Sequence, residues 1–130
     1  MRWFTMKSIL SLLAIAMLTA STALADGPIR HVVHFKFKKD ADSAAVKKVE
    51  DAFAALKSKI SQIESLEWGT NVSPEGLDKG YTHCWIVTFK DGKDRDAYLV
   101  HPDHKAFVGV LKPVLEEAFV VDFVPKSVTK

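Results

Sequence analysis

Two hydrophobic periods alternate along this chain, and their order restricts the fold more than any other feature. Apolar side chains at alternate positions predict strands, whereas apolar side chains at steps of three and four predict helices. The predicted strands cover residues 30–38, 64–72, 81–90 and 119–125. The predicted helices cover residues 46–63, capped by Asp42 or Ser43, and a broken helix over residues 91–100 and 102–117, which Pro113 kinks or divides again.

The order strand, helix, strand, strand, helix, strand predicts an α+β protein of the ferredoxin-like βαββαβ class. Such a chain packs its helices on one face of a four-stranded antiparallel sheet. The other face carries Val32, Ile86, Val121 and Phe123, which are too apolar to remain in water. A second copy packed sheet to sheet would cover them, so we expect a homodimeric α/β barrel.

The first 25 residues have the pattern of an export signal. Arg2 and Lys7 precede an uncharged apolar run, and residues 23–25 supply the small side chains that signal peptidase requires. The run is shorter than the roughly 20 apolar residues of a membrane anchor. We therefore expect a cleaved signal over residues 1–25, a mature domain over residues 26–130, and a periplasmic or secreted protein with no membrane attachment.

The charge distribution argues against a nucleic-acid partner. The two excess positive charges of the whole chain come from Arg2 and Lys7, so the predicted mature domain is formally neutral. It has no basic stripe of the kind that phosphate recognition requires. The single cysteine, Cys84, cannot form an internal disulfide, and we expect it to be buried and structural. Its neighbour His83 points to the opposite strand face and cannot activate it as a nucleophile.

A tyrosine and two histidines surround a proline in residues 98–104. Pro102 disfavours helical geometry at His101 and is itself favoured at the start of a new helix. The break re-aims His104 relative to Tyr98, which an unbroken helix would place on a different side. Because imidazole titrates near physiological pH, His104 is a candidate general base.

His31 and His83 lie on the strand faces that should meet the helices. Both imidazoles should therefore be at least partly buried, and buried imidazoles need hydrogen-bond partners. The candidate partners are Tyr98, His101, His104 and Asp122.

Three interpretations of this cluster are open. It could be a structural hydrogen-bond network. It could be catalytic, with neutral His104 removing a proton next to a carbonyl while Tyr98 donates a hydrogen bond to the oxygen. It could also hold a metal ion on His101 and His104 with His31 or His83 as a third ligand. A haem site is suggested by fold analogy alone.

Five short motifs, in this order, resemble the stress-responsive A/B barrel domain family, often called Dabb. They are His-Val-Val-His-Phe-Lys from residue 31, Trp68-Gly69, Tyr81-Thr82-His83, residues 98–104 followed by Phe107, and Val121-Asp122-Phe123. The resemblance covers nearly the whole predicted mature domain. It implies a homodimeric barrel, and the family includes a plant polyketide cyclase in which a tyrosine and a histidine of the Tyr-x-x-His-Pro-x-His segment perform an aldol cyclisation.

By position, the resemblance implies Tyr98 and His104 as the catalytic pair. We expect the cavity for a small apolar or carbonyl-bearing ligand to be lined by His31, Val33, Phe35, Phe53, His83, Trp85, His101, Phe107 and Asp122. Two functional classes remain: a lyase or polyketide cyclase that needs no cofactor, and a non-catalytic, stress-related binding dimer. A cavity that reaches both members of the pair is the observation that would favour the first.

Overall fold

The computed structural model describes residues 27–130, so the predicted export signal lies outside the described residues. The elements are β1 (Ile29–Phe37), α1 (Ser43–Lys59), β2 (Ser65–Thr70), β3 (His83–Phe89), α2 (Gly92–Leu99), α3 (Pro102–Leu111) and β4 (Leu115–Phe123). None of the helices in this part of the chain is both long and apolar enough to cross a membrane.

The four strands form one antiparallel sheet in the order β2-β3-β1-β4. The first strand is therefore central and pairs with the last one at the sheet edge. Val33 lies between Trp85 and Val120, and His31 pairs with Asp122. This arrangement confirms the predicted ferredoxin-like fold.

The core lies between the sheet and the helices, and aromatic rings fill its centre. Helix α1 begins after Asp42, one of the two caps predicted from the sequence, and the Asp42 carboxylate accepts a hydrogen bond from the Ala45 N–H. The helix buries Phe53 against Trp85, with ring centroids 4.1 Å apart and the ring planes nearly parallel. Stacked aromatic contacts of this kind stabilise a core beyond the area they bury.

The sheet face away from the helices is apolar and uncovered in the single chain. Phe119, Val121 and Phe123 are each about half exposed, at 52%, 45% and 50%. Cys84 lies on the same face and is partly buried in the single chain. Partial burial still raises the pKa of the Cys84 thiol.

Two predicted helix ends differ from the structure. Helix α1 ends at Lys59 rather than residue 63, because the chain becomes extended at Ile60. Ile60 and Ile63 are nevertheless buried. These two side chains keep the spacing of a helix although they lie beyond its end, which explains why the sequence pattern predicted a longer helix. Helix α3 ends at Leu111 because Pro113 cannot continue it, and residues 115–117 belong to β4 instead.

Candidate functional site

Tyr98 lies in the last turn of α2 and is almost completely buried. Its ring packs against Phe89, with centroids 5.0 Å apart, and meets the His31 ring edge-on at 5.8 Å. Burial strongly raises the pKa of the Tyr98 hydroxyl, because the phenolate would lose its hydration. Tyr98 can therefore serve as a hydrogen-bond donor near neutral pH.

The predicted helix break brings His104 onto Tyr98. Helix α2 ends at Leu99, His101 has an extended backbone, and Pro102 is the first residue of α3. His104 then lies in the first turn of α3, with its ring centroid 4.5 Å from that of Tyr98.

A backbone contact fixes the tautomer of the neutral His104 ring. Its Nδ1 lies 3.2 Å from the carbonyl oxygen of Leu99. Since a carbonyl can only accept, Nδ1 carries the hydrogen, and Nε2 is left as the basic nitrogen. Burial lowers the pKa of His104, and the charges of His31 and His101 lower it further against the opposing effect of the Leu99 carbonyl. A neutral imidazole is therefore favoured at neutral pH.

A chain of charged contacts lies beside this pair. The register of β1 and β4 sets His31 next to Asp122, with Nδ1 2.6 Å from Oδ1. The second carboxylate oxygen of Asp122 accepts a hydrogen bond from Arg95 at 2.8 Å, and Arg95 also donates to Asp96 at 2.8 Å. Arg95 was not among the site residues predicted from the sequence. Arg95 lies three residues before Tyr98 on the same helix, and therefore on the same helix face. That spacing could have identified it as a residue of the site.

An open cleft of about 650 Å³ reaches both Tyr98 and His104. It lies between the sheet and helices α2 and α3, and its polar residues include His31, Arg95 and Asp122. The apolar part of its wall is formed by Val33, Phe35, Phe53, Leu99, Phe107, Val108, Leu111, Leu115, Ala118 and Val120. The arrangement suits an apolar molecule with one polar group held at the histidines.

His83 is separate from this cleft, contrary to expectation. In the register of β1 and β3, His83 pairs with Phe35, four residues along β1 from His31. That spacing corresponds to roughly 13 Å of strand. The His83 Nε2 contacts Glu50 at 2.9 Å, and its ring stacks on Trp68 at 6.0 Å.

Trp85 and His101 also lie outside the cleft lining. Trp85 is fully buried between Phe53 and Trp68. The Nδ1 of His101 caps α3 by accepting a hydrogen bond from the Asp103 N–H at 3.1 Å. Across residues 27–130, no group of three or more His, Cys, Asp or Glu side chains is arranged to hold a metal ion.

A larger concavity of about 920 Å³ lies on the sheet face without helices. His34, Cys84, Ile86 and Phe119 line it. Because these residues belong to the apolar face that a second copy would cover, we assign the candidate site to the smaller cleft, where the proton-transfer groups meet.

Comparison with known proteins places nearly the whole described domain in one family. The family model of the stress responsive A/B barrel domain matches residues 29–125. The stress-response A/B barrel domain-containing protein HS1 of Arabidopsis thaliana is 31% identical over 105 residues, which cover 81% of this chain and 96% of that protein. Olivetolic acid cyclase of Cannabis sativa is 26% identical over 99 residues, covering 76% of this chain and 98% of the cyclase.

Solved structures agree on the fold. A hydroxynitrile lyase from Passiflora edulis superposes with a TM-score of 0.74 at 20% identity, covering 81% of this chain and 99% of the lyase; at that identity the likeness concerns the fold alone. A dimeric ferredoxin-like protein from Bacteroides fragilis superposes with a TM-score of 0.62 at 28% identity, covering 76% and 97% of the two chains.

Proposed function

This chain belongs to the stress-responsive A/B barrel family, and on that premise we propose that it is a cofactor-independent lyase or cyclase acting on a small, largely apolar carbonyl compound. The observation that carries the proposal is the contact of Tyr98 with His104, at 4.5 Å between centroids, in the wall of the cleft. The match to a cyclase over nearly its whole length supports the same reaction class.

The two side chains have complementary roles in the proposed reaction. The Nε2 of neutral His104 accepts a proton from the carbon next to the substrate carbonyl. The electron pair of that C–H bond moves toward the carbonyl oxygen, which becomes an enolate. The Tyr98 hydroxyl, kept protonated by its raised pKa, donates a hydrogen bond to this oxygen as its charge develops. The apolar wall of the cleft packs against the remainder of the molecule.

The proposal extends to assembly and location. We propose a homodimer in which two copies cover the apolar sheet faces of each other, as the dimeric relative from Bacteroides fragilis supports. We also propose export, with a mature chain that begins at Asp26. N-terminal sequencing of the protein from a periplasmic or culture fraction tests this, and recovery of Met1 there would contradict it.

Substitution of the pair tests the catalytic proposal. The substrates are a panel of short β-keto thioesters, and product formation is followed by mass spectrometry. Tyr98→Phe and His104→Ala should each abolish turnover while leaving ligand affinity largely intact, because the interactions they remove form mainly in the transition state. Tyr81→Phe is the matched control, since Tyr81, the other tyrosine of the chain, lines the concavity on the opposite face.

The same measurements separate catalysis from binding alone. A non-catalytic binding module would turn over no substrate even in the parent protein. In that case each variant would bind the ligand more weakly, because each substitution removes a group that touches it. Native mass spectrometry of the purified parent, which identifies any ligand retained through purification, then names the compound that the cleft binds.

A further inference from the structure

Arg95 lies between two aspartates in the sequence, yet it also contacts a distant carboxylate, that of Asp122. It lies on α2, and its guanidinium joins Asp96 on the same helix to Asp122 on β4, with both contacts at 2.8 Å. Its side chain is 24% exposed, and the residue lines the cleft. Arg95 therefore connects a helix to the edge strand at the candidate site.

The contacts of Asp122 leave its carboxylate little freedom to rotate. One oxygen faces His31 Nδ1 at 2.6 Å, and the other accepts from Arg95. Because the carboxylate accepts from both groups, Nδ1 of His31 carries a hydrogen, and Nε2 of the neutral ring is the nitrogen that can exchange a proton. His31 is buried in the wall of the same cleft.

We propose that Arg95 is a positioning residue that fixes Asp122 against His31 and sets how readily His31 takes up a proton, making His31 a second proton-transfer group of the cleft beside His104. The part that His31 plays in turnover rests on the proposed function. The contacts of Asp122 with Arg95 and His31 do not depend on the proposed function, because they exist in the ligand-free protein.

The charges around His31 determine the sign of the effect. The titratable and charged groups near it are Asp122 on β4, Arg95 and Tyr98 on α2, and His104 on α3. The positive guanidinium opposes protonation of His31 directly and also shares the negative charge of Asp122. Removal of Arg95 leaves that charge to His31 alone, so the imidazolium is stabilised.

An NMR titration of the histidine rings in the ligand-free protein tests the proposal, with His31 assigned from the resonance that disappears in His31→Gln. In Arg95→Met, the midpoint of the His31 titration should move to higher pH than in the parent. Lys93→Met is the matched control, because it removes an exposed positive charge from the same helix, and it should leave the midpoint unchanged.

Two further variants decide the remaining cases. Arg95→Lys keeps the charge and should return the midpoint toward the parent value. A Lys variant that titrates like Arg95→Met would assign the effect to altered packing and overturn the proposal, as would equal midpoints in Arg95→Met and Lys93→Met. If Arg95→Met does not fold, Arg95→Gln replaces it with the same required result. A failed turnover assay with an intact titration shift would overturn the proposed function alone.

Discussion

The two buried histidines, His31 and His83, each contact a carboxylate, but the two carboxylates have different surroundings. His31 faces a carboxylate that also binds Arg95, whereas His83 and Glu50 form a pair remote from the cleft. Both side chains of that pair are largely buried, at 7% and 22% exposed. His83 is therefore better explained by stability than by ligand binding.

Truncation of His83 tests this structural role. His83→Ala should lower the free energy of unfolding by about 1 to 3 kcal/mol, because it leaves Glu50 without its partner. The partial exposure of Glu50 favours the lower end of that range. Lys47→Ala, which removes one member of an exposed ion pair with Asp51, is the control and should change stability little. Urea denaturation measures both, and equal effects would contradict the assignment.

The pKa of His104 predicts a pH dependence of stability. Burial lowers this pKa in the folded protein, so below the ordinary value of about 6.5 the unfolded chain binds a proton more readily than the folded one. The contribution of neutral His104 is thus present above that pH and is lost as pH falls through the folded pKa. His104→Gln should lose less stability than the parent between about pH 7 and pH 5. Equal losses in urea denaturation would refute this.

The sequence predicted some of these residues and missed others for a physical reason. Pro102 restricts its own backbone and that of His101, so the meeting of Tyr98 and His104 follows from local rules. Glu50 and Arg95 have helical positions typical of solvated charges, and their contacts depend on the packing of separate elements. Alternation predicted correctly that His83 is buried, but it gives only the face of a strand and not the pairing register, which sets His83 apart from His31.

At the scale of the elements, the break between α2 and α3 is the feature that creates the site. Two devices act there: Pro102 disfavours a helical His101, and the His101 side chain caps α3. The sequence predicted the break and the start of α3 at Pro102. It also offered Pro113 as a further break, and α3 ends two residues before it, at Leu111.

Replacement of Pro102 tests which device sets the break. Pro102→Ala should preserve the fold but allow the two helices to merge, which turns His104 away from Tyr98 and removes the nuclear Overhauser contact between their rings. His101→Ala is the control, because it removes the cap and keeps the proline, and it should retain the contact. A ring contact that persists in Pro102→Ala would show that packing elsewhere fixes the corner.

At the scale of the whole molecule, the uncovered sheet face is the surface on which a second copy is proposed to pack, because its side chains are apolar and exposed. Ile86→Asp should split the proposed homodimer, since burial of an unpaired charge costs several kcal/mol. Val128→Asp places the same charge on an apolar residue of the C-terminal tail that is 94% exposed, and it should leave the dimer intact. Light scattering at micromolar concentration measures the mass. A monomeric parent would contradict the dimer itself.

The pairing of the first strand with the last has a consequence for biosynthesis. His31 and Asp122 are 91 residues apart in sequence, yet they face each other in one wall of the cleft. A nascent or proteolytically clipped chain that lacks β4 keeps Tyr98 and His104 but has neither Asp122 nor that wall. The complete cleft therefore forms only after the entire domain has been synthesised, so we expect fragments without β4 not to bind the ligand proposed for it.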